Sequence, residues 1–241
     1  MLSEAEKERY ARQLLIPGWD QEKLAGATVL IVGLGGLGSA SALYLAAAGV
    51  GRIRICDGDK VERPDLNRQV LYSERSLGLA KVEEAARRLT ELNPGVTVET
   101  RGVPLDARNA PELVKGCQLI VDGLDNIKSR FLLSAEAFKQ RIPLVYGAVQ
   151  GWQGYAGLFD PPRTACLACL MGSDILNRNL IQVPGVTPGA IGLIQANEAI
   201  KLLLGMTPSL FGRLLIYDGR DLSFEIISLD RNPACPVCSR V

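Results

Sequence analysis

The stretch 29-VLIVGLGGLGSASALYLAAAGVGRIRICDGDKVERPDLNRQ-69 decides the fold of this chain. It opens with a short apolar run that ends at Gly33, which predicts a buried strand over 29–32. Four glycines follow within 33–38, and then an Ala/Leu-rich helix is predicted over 36–48. A glycine turn between a strand and a helix offers free backbone N–H groups to a phosphate. The stretch therefore predicts a nucleotide-binding site, without saying which nucleotide.

The same alternation continues down the chain and predicts the fold class. We expect further strands over 52–56, 96–100, 118–121 and 143–146, with helices over 81–92, 110–115 and 127–140. This order predicts an α/β protein with a Rossmann-like, doubly wound, mostly parallel sheet. After about residue 147 the pattern changes, and antiparallel strands are predicted over 151–160 and 213–228. A helix is predicted over 189–204, and a mobile loop over 171–188.

The N-terminal region is charged and amphipathic and predicts a helix over 3–15. We therefore expect one domain over 1–241, with N-terminal helices over 1–26, a nucleotide-binding half over 27–147 and a second half over 148–241. With 241 residues, 47% of them hydrophobic, the chain can bury one sizeable core.

Composition excludes several function classes. The net charge is +1 and there is no long basic run, which argues against a nucleic-acid partner. No signal core or run of about 18 apolar residues is present, so we expect a soluble cytoplasmic protein with no membrane partner. The chain has no histidine, which excludes Ser-His and Cys-His catalysis and histidine-ligated metals.

Acidic residues follow two of the predicted strands. Asp57 and Asp59 come about 20 residues after the glycines, where an acid binds a ribose hydroxyl in both NAD and ATP sites. One of the two can instead be a turn cap. Asp125 follows the strand over 118–121, and its carboxylate can hold Mg²⁺. Asp125 or Asn126 is equally suited to cap the next helix, and the residues alone leave both interpretations open.

Two cations, Arg68 and Lys81, lie downstream of the glycine turn. They are surplus in an NAD site, where backbone groups hold the pyrophosphate. In an ATP-cleaving enzyme they neutralise charge on the α-phosphate and on the leaving pyrophosphate. A single lysine is by default a solvated surface charge, so Lys81 alone is weak support.

Two Cys-x-x-Cys pairs predict a metal site. Two such pairs in a cytoplasmic protein are typical of a four-thiolate zinc site, and four thiolates leave no open position for catalysis. We therefore predict a structural zinc that joins the C-terminal tail to the region before Met171. The ligands would be Cys166, Cys169, Cys235 and Cys238.

Taken together, these features resemble the ThiF/MoeB/HesA family, the bacterial relatives of ubiquitin-activating enzymes. The resemblance covers essentially the whole chain. It rests on the motifs above together with Arg9-Tyr10-Ala11-Arg12-Gln13, Ala48-Gly49-Val50-Gly51, Leu66-Asn67-Arg68-Gln69 and Gly78-Leu79-Ala80-Lys81-Val82-Glu83. It favours ATP over NAD.

The resemblance implies an adenylyltransferase. In that family the carboxylate of a ubiquitin-like carrier ending in Gly-Gly attacks the α-phosphate of ATP, for sulfur transfer in the biosynthesis of cofactors such as molybdopterin or thiamine. It implies that Asp57 binds the ribose, that Arg68 and Lys81 bind phosphates, and that Asp125 binds Mg²⁺. It also implies that Arg12 enters the site of the other subunit of a homodimer. The nucleotide-binding set comprises Gly33, Gly35, Gly36, Gly38, Asp57, Asp59, Asn67, Arg68, Lys81, Asp125 and Asn126.

Two departures from the family pattern bear on this expectation. Pro64-Asp65-Leu66 replaces the usual Ser-Asn-Leu, which adds a negative charge near the phosphates. The predicted loop over 171–188 has no cysteine for a covalent link to the carrier, so either an external protein delivers sulfur or Cys56 or Cys117 serves. The alternatives are adenylation of another carboxylate, an NAD-binding oxidoreductase, and a carrier-binding protein without activity.

Overall fold

The computed structural model describes residues 2–160, 162–171 and 182–239, with eight α-helices, two short 3₁₀ helices and eight strands in that part of the chain. The helices are α1 Glu4–Arg9, α2 Gln21–Ala25, α3 Gly36–Ala48, α4 Lys81–Leu92, α5 Ala110–Val114, α6 Ile127–Gln140, α7 Leu167–Met171 and α8 Val186–Leu203. The strands are β1 Thr28–Val32, β2 Arg52–Cys56, β3 Thr97–Arg101, β4 Leu119–Asp122, β5 Leu144–Gln150, β6 Gln153–Phe159, β7 Arg213–Asp218 and β8 Ser223–Ser228.

All eight strands form one sheet in the order β3-β2-β1-β4-β5-β6-β7-β8. Pairing is parallel from β3 through β5 and antiparallel from β5 to β8. The strand order reverses beside β1, and ligands of open α/β sheets bind at such a switch point. The predicted fold class is confirmed.

The core explains why β1 is apolar from Val29 to Val32. Val29 and Ile31 pack on one face of the sheet with side chains of α3, α4 and α8. Leu30 and Val32 pack on the other face with side chains of α5 and α6. Because helices cover both faces of the parallel half, its central strand has no polar side. No helix in the described ranges is long and apolar enough to cross a membrane.

Several predicted elements differ from the observed ones; β5, for example, runs to Gln150, past its predicted end at residue 146. The helix predicted over 3–15 is wrong beyond Arg9, because Tyr10 caps α1 and residues 10–16 form turns. The helix predicted from residue 189 begins at Val186, since Pro188 is tolerated in a first turn, where N–H groups have no helical partner. Of the predicted loop over 171–188, Met171 belongs to α7 and residues 186–188 to α8, while residues 172–181 lie outside the described part.

Candidate functional site

A cavity of about 880 Å³ opens at the carboxyl ends of β1, β2, β4 and β5. This volume lies within the range of roughly 300–1,000 Å³ that is usual for small-molecule sites. The cavity also extends along β5 and β6 toward Gln150, Tyr155 and Met171. The predicted site residues that line it are Gly33, Gly35, Gly36, Asp57, Asp59, Arg68, Lys81, Asp125 and Asn126.

The glycine turn is built by close backbone approach. Gly33 has a φ of +87°, and a Cβ there would lie 2.6 Å from the carbonyl oxygen of Gly123. A Cβ on Gly38 would lie 1.9 Å from the carbonyl oxygen of Gly33, so Gly38 packs the helix against the turn and does not line the cavity. Gly35 and Gly36 border the cavity at the start of α3, whose first N–H groups have no helical acceptors.

Asp57 links the end of β2 to this turn. Its Oδ2 accepts a hydrogen bond from the Leu34 backbone N–H at 2.7 Å, and its Oδ1 accepts one from the Asp59 backbone N–H at 2.8 Å. Burial raises the pKa of Asp57, and the two backbone hydrogen bonds oppose that rise. Each carboxylate oxygen keeps a further lone pair, which can accept from a ribose hydroxyl.

The two predicted phosphate-binding cations converge on Asp65. Arg68 Nη2 donates to Asp65 Oδ1 at 3.4 Å, and Lys81 Nζ lies 3.7 Å from Asp65 Oδ2. Lys81 Nζ also donates to Asp59 Oδ2 at 3.2 Å. The Lys81 side chain is only 7% exposed, so its charge is held in the cavity wall and is not a solvated surface charge.

The departure at Asp65 therefore has a local explanation. Its carboxylate accepts from Gln69 Nε2 at 2.8 Å and from the Glu62 backbone N–H at 3.1 Å, in addition to its two cationic neighbours. The added negative charge is thus compensated within the protein and fixes the cations beside the cavity. Asn67 accepts from Arg68 Nη1 at 3.0 Å and does not border the cavity.

The start of α6 shows which of two neighbouring residues caps the helix, a question that the sequence left open. Asn126 is the helix N-cap, and its Oδ1 accepts from the Ser129 backbone N–H at 2.9 Å. Asp125 is exposed and borders the cavity, and its only described hydrogen bond is a long one, 3.5 Å, from Asn126 Nδ2. Since Asn126 performs the capping, the Asp125 carboxylate is available to a cation.

A buried ion pair behind Asp125 was missed by the sequence analysis. Arg130 Nη1 donates to Asp122 Oδ2 at 2.9 Å and to the Gly147 carbonyl at 2.6 Å, and Nη2 donates to the Leu124 carbonyl. Asp122 is fully buried and Arg130 is 5% exposed. Arg130 therefore ties the end of β4 and the loop before Asp125 to β5. One arginine within a predicted helix gives no signal that distinguishes it from a surface charge.

We expect Arg130→Met to destabilise the protein strongly, because it leaves the Asp122 carboxylate buried without its partner. Breaking such a pair costs about 3–5 kcal/mol. Urea unfolding followed by circular dichroism measures the loss. Arg108→Met is the matched control, because Arg108 pairs with Asp106 on the surface, and its unfolding midpoint should stay near that of the wild type. Equal midpoints for the two variants would contradict a structural role for the buried pair.

Arg12 lies away from this cavity. Its side chain is exposed in the turn after α1, and the described residues provide it with no hydrogen bond or ion pair. The neighbouring turn rests on the C-terminal end of α3, whereas the glycine turn is at the N-terminal end. The 13 residues of α3 span about 18 Å, and a single side chain cannot cover that distance.

The four predicted metal ligands come together at the end of the chain. Their Sγ atoms all lie within 4.8 Å of one another, with 3.6 Å between Cys166 and Cys235 and 3.3 Å between Cys169 and Cys238. Sulfurs around one tetrahedral zinc, at a Zn–S distance of about 2.3 Å, are about 3.8 Å apart. The cluster therefore fits a single metal ion such as zinc, held between the α7 segment and the tail after β8.

Comparisons with known proteins identify the family of this chain. The model of the ThiF family matches residues 10–237. The sulfur carrier protein adenylyltransferase of Thermus thermophilus is 39% identical over 97% of this chain and 91% of its own length. The molybdopterin-synthase adenylyltransferase of Escherichia coli is 38% identical over 99% of both chains. The crystal structure of E. coli MccB with ATP has the same fold, with a TM-score of 0.87 at 24% identity over 96% of this chain and 74% of that one. The chain belongs to the ThiF family and is an adenylyltransferase.

Proposed function

We propose that this protein uses ATP and Mg²⁺ to adenylate the C-terminal glycine carboxylate of a ubiquitin-like sulfur-carrier protein. The supporting observation is the convergence of the glycine turn, Asp57, Arg68, Lys81 and Asp125 on one cavity. The relatives named above act on sulfur-carrier or molybdopterin-synthase components. Sulfur transfer in cofactor biosynthesis is the corresponding role for this chain.

The residues of the cavity account for the chemistry. The carrier carboxylate is already ionised, so its oxygen can attack the α-phosphorus without a protein base. The bond from that phosphorus to the bridging oxygen breaks, and pyrophosphate leaves with the electron pair. Arg68 and Lys81 stabilise the negative charge that grows on the phosphates. Asp125 would hold Mg²⁺, which would supply positive charge against the negative charge of the phosphates. A chain without histidine can perform this reaction.

The carrier tail has a route to the α-phosphate. The cavity continues from the glycine turn along β5 and β6, where Ala148, Gln150 and Tyr155 line it. A tail ending in Gly-Gly has no side chains to obstruct such a passage. The lining residues Gln150 and Tyr155 belong to the second half of the chain, which we assign to carrier binding.

Arg12 completes the site from a second subunit. It is too far from its own glycine turn, and the exposed apolar side chains of Leu15 (77%) and Ile16 (48%) lie beside it. An apolar surface next to an unpaired cation suits a subunit contact, because the apolar area drives association and places the charge on the partner. We therefore propose a homodimer in which each subunit supplies Arg12 to the other.

Adenylation is the proposed end point for this chain, with an external protein donating sulfur. Burial raises the pKa of Cys56 to about 12, and its Sγ donates to the Val103 carbonyl at 3.3 Å. Burial also raises the pKa of Cys117, which is 6% exposed. Both thiols stay protonated near neutral pH and are poor nucleophiles.

We expect the purified protein to exchange labelled pyrophosphate into ATP only when a ubiquitin-like carrier ending in Gly-Gly is present. Removing the final glycine from that carrier should abolish exchange, because the attacking carboxylate is then displaced. Isothermal titration should show ATP binding in the presence of Mg²⁺ and little NAD⁺ binding.

Two outcomes would contradict this function. Tight NAD⁺ binding with weak ATP binding would favour an oxidoreductase. ATP binding without exchange for any Gly-Gly carrier, but with exchange for a short peptide carboxylate, would favour a different acyl substrate. The variant Asp125→Asn serves as the control for background exchange, since it removes the proposed Mg²⁺ ligand.

A further inference from the structure

A buried polar network holds the turn that carries Arg12. The Tyr10 hydroxyl accepts from Asn93 Nδ2 at 2.8 Å, and the same Nδ2 donates to the Ala46 carbonyl at 2.7 Å. Gln13 Nε2 donates to Gln21 Oε1 at 2.5 Å and to the Ala48 carbonyl at 2.9 Å. The side chains on both sides of Arg12 are thus fixed to the body of the protein.

The network is attached to a rigid support. The acceptor carbonyls of Ala46 and Ala48 belong to the last turn of α3, where the Ala46 carbonyl also accepts from the Gly49 backbone N–H at 3.0 Å. Asn93 is 1% exposed and caps the end of α4, and Gln21 is 3% exposed. Gly49 makes room for the network, because a Cβ there would lie 2.5 Å from both the Tyr10 hydroxyl oxygen and Gln21 Nε2.

The arrangement of this turn differs from that of an ordinary surface loop. Tyr10 is 6% exposed and Gln13 is half-buried, while Arg12 between them is exposed. A long flexible cation reaching another molecule loses conformational entropy when it is fixed, so a preformed base reduces that loss. Several hydrogen bonds of the network thus hold a turn whose one outward cation, Arg12, has no partner among the described residues.

We propose that Gln13 and Asn93, with the Tyr10 hydroxyl, are positioning residues for Arg12 and so act on the site of the partner subunit. The inference rests on the proposed transfer of Arg12 between subunits. It predicts that a substitution in the network leaves the nucleotide cavity of its own subunit intact. The same substitution lowers the activity of the cavity in the other subunit.

The test variant is Gln13→Met, which keeps the length of the side chain and removes both hydrogen bonds. Gln140→Met is the matched control, because Gln140 is also half-buried and its Nε2 donates to a side-chain oxygen, Glu136 Oε1 at 2.6 Å, and to a carbonyl, Pro111 at 3.0 Å. Loss of positioning should lower carrier-dependent exchange about tenfold or more in Gln13→Met. Its Kd for ATP, measured by titration, should stay within about twofold of the wild type. Gln140→Met should change neither quantity.

Mixed dimers give the readout that a local structural defect does not produce. When Gln13→Met is mixed with Asp125→Ala, the cavity of the Gln13→Met subunit receives Arg12 from a subunit with an intact network. Half the dimers are mixed and each has one whole site, so exchange should reach about a quarter of the wild-type rate. When Gln13→Met is mixed with Arg12→Ala, no whole site forms, and exchange should fall below that of Gln13→Met alone.

Several results would overturn the proposal. If the network acted on the cavity of the same subunit, the mixture of Gln13→Met with Asp125→Ala would stay at about a twentieth of the wild-type rate. Half of the sites would then be impaired about tenfold and the other half would be inactive. Wild-type exchange in Gln13→Met would equally exclude a positioning role. Tyr10→Phe, which deletes one hydroxyl, repeats the test if Gln13→Met does not fold. Mixing Arg12→Ala with Asp125→Ala tests the transfer of Arg12 separately, so its failure is distinguishable from failure of the network.

Discussion

Cys235→Ser is expected to abolish zinc binding and to lower the melting temperature markedly. The purified wild type should contain about one zinc per chain, because four thiolates that surround one point form a closed tetrahedral site. A metal present at about a thousand times its Kd stabilises the folded state by about 4 kcal/mol. For a chain of this size, that loss corresponds to a fall of about 8–16 °C. Scanning calorimetry and elemental analysis measure the two effects.

Cys117→Ser is the control for this experiment, since it changes a buried cysteine outside the cluster. It should retain one zinc, whereas a chelator added to the wild type should reproduce the melting temperature of Cys235→Ser. Hydrogen exchange should rise mainly in residues 230–239, which the metal would join to α7. A metal-free protein with an unchanged melting temperature would show that the cluster is not a zinc site.

The nucleotide-binding half was predictable because its signals are local. An apolar run, a glycine turn and an Ala/Leu-rich segment each determine their structure within a few residues, and β1, α3 and β2 lie within one residue of their predicted bounds. The cavity follows from topology, since parallel strands bring their carboxyl ends to one edge of the sheet. Asp57 and Asp125, which follow strands of this sheet, could therefore be placed together without a structure, whereas the role of Lys81 came from the family resemblance.

The structure also reveals contacts between residues that are distant in sequence. The turn at Tyr10 could not be predicted, because its partner Asn93 lies 83 residues away, and local amphipathicity favoured a longer helix. Arg130 and Gln195 were missed for the same reason. Gln195 Nε2 donates to the carbonyls of Asp122 at 2.8 Å and Val145 at 3.1 Å, and so joins α8 to β4 and β5. The sequence around each of these side chains resembles that of a surface position, and only the fold brings its buried partner next to it.

Arg12→Ala and Asp125→Ala are each expected to reduce carrier-dependent pyrophosphate exchange by about a hundredfold or more. Arg12 would contact phosphate charge that grows in the transition state, and removing such a contact typically costs this much. Asp125 would hold the metal that shares that charge. Both side chains are exposed and make few contacts within the chain, so the variants should fold normally. Circular dichroism and the Kd for ATP of Arg12→Ala check that expectation.

An equal mixture of the two inactive variants decides where Arg12 acts. If it acts on the partner, each mixed dimer has one site that lacks both groups and one intact site. About half the dimers are mixed, so activity should recover to roughly a quarter of the wild-type rate. If Arg12 acts within its own subunit, every site keeps one lesion and the mixture stays inactive. Subunit exchange is verified by native mass spectrometry, because a mixture that exchanges subunits and recovers no activity would rule out the transfer of Arg12 while leaving the adenylation chemistry intact.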